Sequence, residues 1–128
     1  MRTIDIDTML DAYREAALWS SIHYASDEWP GIEDGTPFDQ IDADLSDDAQ
    51  DILRQDCNEF AEMLEAFDLP EELTDEQIGH DLWLTRNGHG AGFWDRGLGE
   101  LGDNLSDICR GLPERDLYLS DDGEIEIA

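Results

Sequence analysis

An α+β domain is predicted, with two N-terminal helices followed by a ββαββ module, and three observations predict it. Apolar residues recur at three- and four-residue steps over residues 46–67, a second such stripe runs over 98–112, and Asn-Gly and Asp-Gly pairs sit beside short strand-like runs. At 128 residues the chain is expected to form a single acidic domain, residues 1–128, with its helices packed on a small, mainly antiparallel sheet.

The first helix is expected over residues 8–22, with Thr8 as N-cap, Asp11 in the first turn and Leu10, Tyr13 and Ala17 along one stripe, extended by Tyr24. Pro30, Gly31, Gly35 and Pro37 make residues 26–37 an irregular connection, which Trp29 pins to the body. Ala49, Ile52, Leu53, Phe60, Met63, Leu64 and Phe67 mark a long amphipathic helix from Ser46, stopped before Pro70. Thr74-Asp75-Glu76-Gln77 reads as a capping box opening a short helical turn. The run Asp81 to Arg86 then reads as a strand, Asn87-Gly88 as its turn, and Phe93-Trp94-Asp95 as the start of the return strand. Leu98, Leu101, Leu105, Ile108 and Leu112 define the last helix, ended by Gly111 and Pro113. Strands over 116–120 and 124–127 flank the Asp121-Asp122-Gly123 turn.

Composition narrows function. Seven basic residues, all Arg, stand against 34 acids, a net charge of −27, so direct binding to nucleic acid or to an anionic lipid surface is disfavoured. At 40 % hydrophobic residues, with four Trp, the chain is unlike a disordered acidic tail. No apolar run reaches the 18 or so residues that span a bilayer, and acids occupy the place of a signal peptide's apolar stretch; a cytoplasmic location is expected. Cys57 and Cys109 show no metal-ligand spacing and read as reduced core residues.

The acids are unevenly placed: residues 1–72 carry 3 Arg against 21 acids, residues 73–128 carry 4 against 13. Asp39, Asp42, Asp44, Asp47, Asp48 and Asp51 lead into the long helix, and Asp56, Glu59, Glu62 and Glu65 continue along it. A helix rising about 1.5 Å per residue can set carboxylates along a line comparable to the phosphates of B-DNA, which carries one charge per roughly 1.7 Å. Such a face would compete for a DNA-binding groove. The plain alternative is that these acids only keep the protein soluble. A cation site is a third reading, but DADLSDD lacks the glycine and terminal glutamate of a calcium loop.

The glycines of Asn87-Gly88-His89-Gly90-Ala91-Gly92 suit a tight turn whose tip residue, His89, contacts a partner. Phosphate cradling is opposed by the charge and by spacing that is not that of a dinucleotide loop. His80, Asp81, His89 and Asp95 also compose a possible metal or hydrolytic set, although His80 and Asp81, adjacent on a strand, would face opposite ways. Arg86 and Arg96 are expected to pair with carboxylates, and Trp83, Phe93 and Trp94 to be core or interface anchors.

The run HDLWLTRNGHGAGFWDRGLGELGDNL, residues 80–105, resembles a segment of small proteins encoded by bacteriophages and other mobile elements; it covers about a fifth of the chain. The resemblance implies a phage or prophage origin, where small acidic proteins inhibit host defence or nucleic-acid enzymes, and it brings no catalytic residues. Charge and resemblance together lead to an expected function. The protein is read as an inhibitor without turnover or cofactor, acting in the host cytoplasm. Its expected partner is a host nucleic-acid-binding protein or complex (restriction, CRISPR, recombination or nucleoid), engaged through Asp39, Asp42, Asp44, Asp47, Asp48, Asp51, Glu59, Glu62, Glu65 and His89. The alternatives are a small metal-binding or hydrolytic enzyme centred on the glycine-rich hairpin, and an accessory virion protein.

Overall fold

Helix α1 runs over Ile6–Ser20, and its start is set by Asp5, whose carboxylate accepts from the backbone N–H groups of Asp7 and Thr8 and from the Thr8 hydroxyl. The cap therefore lies three residues before the expected Thr8, because the aspartate meets two orphan amides at once. The computed structural model describes residues 2–23, 31–88, 92–93 and 97–128. Tyr24, Trp29, His89, Trp94, Asp95 and Arg96 lie outside the described residues.

After α1, β1 (Ile22–His23) pairs antiparallel with β2 (Thr36–Pro37), and a 3-10 turn over Phe38–Gln40 follows. Helix α2, Asp47–Leu64, is capped by Ser46, whose Oγ accepts from the Ala49 N–H at 3.0 Å. Helix α3 is Asp75–Arg86, with Thr74 Oγ1 accepting from Gln77 N–H, and helix α4 is Glu100–Arg110. β3 (Leu117–Leu119) and β4 (Ile125–Ile127) form the expected C-terminal hairpin. A parallel bridge from Leu45 to Ile125, and a hydrogen bond between Ser46 Oγ and Glu126, fasten this hairpin to the start of α2.

The fold is mixed α+β and mostly helical. The first hairpin of the expected ββαββ module is corrected: residues 81–86 are helix, and the two antiparallel pairs form separate two-stranded sheets instead of one. The physical reason is burial. Residues 81–86 of α3 are buried one after another, polar Asp81, Thr85 and Arg86 included, so the order of polar and apolar residues does not trace the 3.6-residue stripe of a surface helix. A short unbroken buried run is the pattern in which helix and strand are hardest to separate by periodicity.

α3 is wrapped by α1 on one side and α4 on another. Gly79 makes the α1 contact possible, since a Cβ there would overlap the Met9 carbonyl. Trp83, in the core, meets Tyr13 edge-on at 5.5 Å and donates its indole N–H to Ser20 Oγ at 2.9 Å. Leu53, Cys57, Phe60 and Leu64 of α2 close the core, with Leu105 and Cys109 from α4.

Candidate functional site: an acidic helix face beside a buried polar clamp

Turning about 100° per residue, α2 directs Asp47, Asp48, Asp51, Glu59, Glu62 and the C-cap residue Glu65 into an arc of about 120°. All six are exposed. The buried Ala49, Leu53, Cys57, Phe60 and Leu64 occupy the opposite side. From Asp47 to Glu65 the ridge is about 27 Å long, over which one DNA strand sets about eight phosphates. Six carboxylates over that length make a sparser row of the same order.

The other expected contact residues are placed differently. Asp42 and Asp44 are exposed in the connector before α2. Asp39, also exposed, faces away toward α1, where it shares a recess with Trp19 and Glu15. Asp56, on the same helix as the ridge, is no part of it: its carboxylate is only 3 % exposed. His89 lies outside the described residues.

The ridge runs against helix electrostatics at one end. Asp47 and Asp48 suit the positive N-terminus, but Glu62 and Glu65 stand at the negative C-terminal end, where the last turn has no basic residue. Each unfavourable placement costs about 0.3–1 kcal/mol, and the Glu59, Glu62, Glu65 spacing adds like-charge repulsion of about 0.2–0.5 kcal/mol per pair. Arg54, the one basic residue between 39 and 65, turns aside to Asp7 of α1 at 3.2 Å.

Behind the ridge lies the polar clamp that sequence reasoning did not assemble. Asp56 accepts from Arg115 through Nε (3.1 Å) and Nη2 (2.8 Å) and from the Tyr13 hydroxyl at 2.8 Å. Arg86 Nη1 stands 3.2 Å from the same carboxylate and donates to Tyr13 Oη, while its Nε and Nη2 both donate to the Pro113 carbonyl. Asn87 accepts from the Arg115 backbone N–H and donates to the Trp83 carbonyl. The hydrogen bond to Asp56 raises the Arg115 pKa, and burial pushes the Tyr13 phenol well above its ordinary value. With both oxygens occupied and the phenol held protonated, the group ties α1, α2, α3 and the segment before β3 together and offers no ready base. Arg86 does pair with a carboxylate, as its chemistry predicts. The partner, forty-three residues from Tyr13 and thirty from Arg86, carries no local signal in the sequence.

The His80 and Asp81 expectation is also corrected. They sit on a helix, not a strand, so they are neighbours instead of opposites: His80 Nδ1 is 3.4 Å from Asp81 Oδ1, and the imidazole stacks on Trp19 at 5.8 Å. Asp81 is fully buried and also accepts from Gln77 Nε2 at 2.9 Å. Among the described residues no three His, Cys, Asp or Glu side chains converge as a metal site. Nor is any helix among them long and apolar enough to cross a membrane. Compared with protein-family models, curated proteins and solved structures, the chain matches none.

Proposed function

We propose that the protein is a phage-type inhibitor that acts in the cytoplasm without turnover, presenting the outer face of α2 to the cationic cleft of a host nucleic-acid-binding protein. The carboxylates of Asp47, Asp48, Asp51, Glu59, Glu62 and Glu65 take phosphate positions, and Asp42 and Asp44 extend the contact at the helix start. The observation that carries this reading is the placement of Glu62 and Glu65. Carboxylates kept only for solubility are served equally well elsewhere on the surface, whereas these two continue one ridge at a site where the helix dipole opposes them. The resemblance of residues 80–105 to phage-encoded proteins supports the setting, and the buried clamp gives the ridge a rigid base.

Displacement of DNA tests the reading. A DNA-binding fraction of host lysate, loaded on a labelled duplex, is expected to release the duplex when the protein is added, and to do so less at high salt. Failure to displace DNA at low salt from any component of that fraction would contradict the proposal.

A further inference from the structure

We infer that the groove between the N-terminal segment and the C-terminal half of α2 docks a basic amphipathic helix of the partner. The groove holds about 880 Å³. Ile4 and Ile6 line it from one side, and Ala61, Phe67 and Leu69 from α2 and the turn after it, all only partly buried. Exposed Glu62, Glu65 and Asp68 line it as well. Arg2 also reaches it, but its guanidinium is committed to Asp75 at 2.7 Å and to the Pro70 carbonyl at 3.0 Å, so the charge left to a visitor is negative.

Size and charge choose the occupant. A cylinder about 10 Å wide, the girth of a helix with its side chains, fills 880 Å³ in about 11 Å, or two turns. Two turns present apolar residues at i, i+3, i+4 and i+7, the spacing by which helices seat in grooves. The flanking carboxylates select Lys and Arg on the sides of that helix. A second copy of this chain and a nucleic acid are both repelled by the net charge of −27. Glu62 and Glu65 belong to both groove and ridge, so one partner engages the two together, its cations along α2 and its apolar stripe in the groove. The inference rests on the proposed function only in taking the partner to be cationic.

Two 14-residue Leu/Arg peptides of identical composition serve as probes, one with leucines on a single helical stripe, the other with them dispersed. Titrated into the full chain, the striped peptide is expected to bind at least tenfold more tightly. It should perturb backbone amides of residues 2–6 and 58–69 in NMR spectra of the unmodified protein. Ala61→Trp, which fills the groove, should bring the striped peptide down to the affinity of the dispersed one and leave the latter unchanged; Ala66→Trp at the exposed edge should act in the same direction should the first variant fold poorly. Equal binding of the two peptides, or amide changes confined to residues 47–55, would overturn the groove while leaving the acidic ridge standing. Binding of neither peptide overturns it too, and the ridge is then judged by DNA displacement alone.

Discussion

α2 and α3 are both rich in ionisable side chains, but they use them in opposite ways. On α2 the carboxylates of the ridge face water, opposite the core and in part against the helix dipole. On α3, Asp81 and Arg86 are buried and each is held by named partners, Arg86 by Tyr13, Asp56 and Pro113. The difference teaches that charge in this protein is structural where it is paired inside, and stays hydrated where it lines the outer face of α2. Among the described residues of 80–105, Trp83, Thr85, Arg86 and Phe93 are buried, and Asn87 bridges to Arg115.

Removing a buried charge should expose the contrast most sharply. Asp56→Ala leaves Arg86 and Arg115 without their shared carboxylate, and a loss of about 3–5 kcal/mol is expected in urea unfolding. A loss below about 1 kcal/mol would mean that the clamp does not hold the elements together. Alkali should act next. Burial pushes the thiols of Cys57 and Cys109 up to about 12 from 9.0. Above pH 9 the unfolded chain gives up thiol protons that the folded chain keeps, so stability falls as pH rises toward 12, by ~1.4 kcal/mol per pH unit for each thiol. Below about pH 8 these groups contribute almost no slope. Unfolding free energies measured from pH 8 to 11 check this, and Cys57→Ala should reduce the slope by about half over pH 9–10, where Tyr13 adds little. The smallest effect belongs to the ridge: Glu62→Gln with Glu65→Gln should raise stability, by about 1 kcal/mol at low salt, as the conflict with the helix dipole is relieved. A loss of stability would show that those carboxylates serve the fold.

Much of this contrast is legible in the sequence where a residue's role is local. The stripe from Ala49 to Leu64 (exposed Met63 apart), the helix start at Ser46, the Thr74 cap and the Asp-Gly turn of the last hairpin all act within a few residues, and the structure has them in those roles. The exposure of Asp47, Asp48, Asp51, Glu59, Glu62 and Glu65 follows from the same periodicity. Residues 81–86 were not legible as helix because polar Asp81, Thr85 and Arg86 are buried along with Leu82, Trp83 and Leu84, so polarity does not mark a solvent face and three apolar residues between polar ones read as a short strand. Asp56 was not separable from its acidic neighbours because its carboxylate is turned inward by Arg86 and Arg115, which arrive from far along the chain. Asp39 illustrates the reverse failure: close to the ridge in sequence, it is carried to the α1 side by the 3-10 turn.

A charge-matched pair of variants tests most directly whether position, and not net charge, makes the acidic face functional. In one, Asp42, Asp44, Asp47, Asp48 and Asp51 become Asn and Glu59, Glu62 and Glu65 become Gln; in the other, eight exposed acids elsewhere (Glu71, Glu72, Glu76, Glu100, Asp103, Asp121, Asp122 and Glu124) are neutralised in the same way. In the DNA-displacement assay at low salt, the second variant should act like the parent and the first should lose activity at least a hundredfold. Equal loss in both variants, or in neither, would contradict the ridge as the binding face.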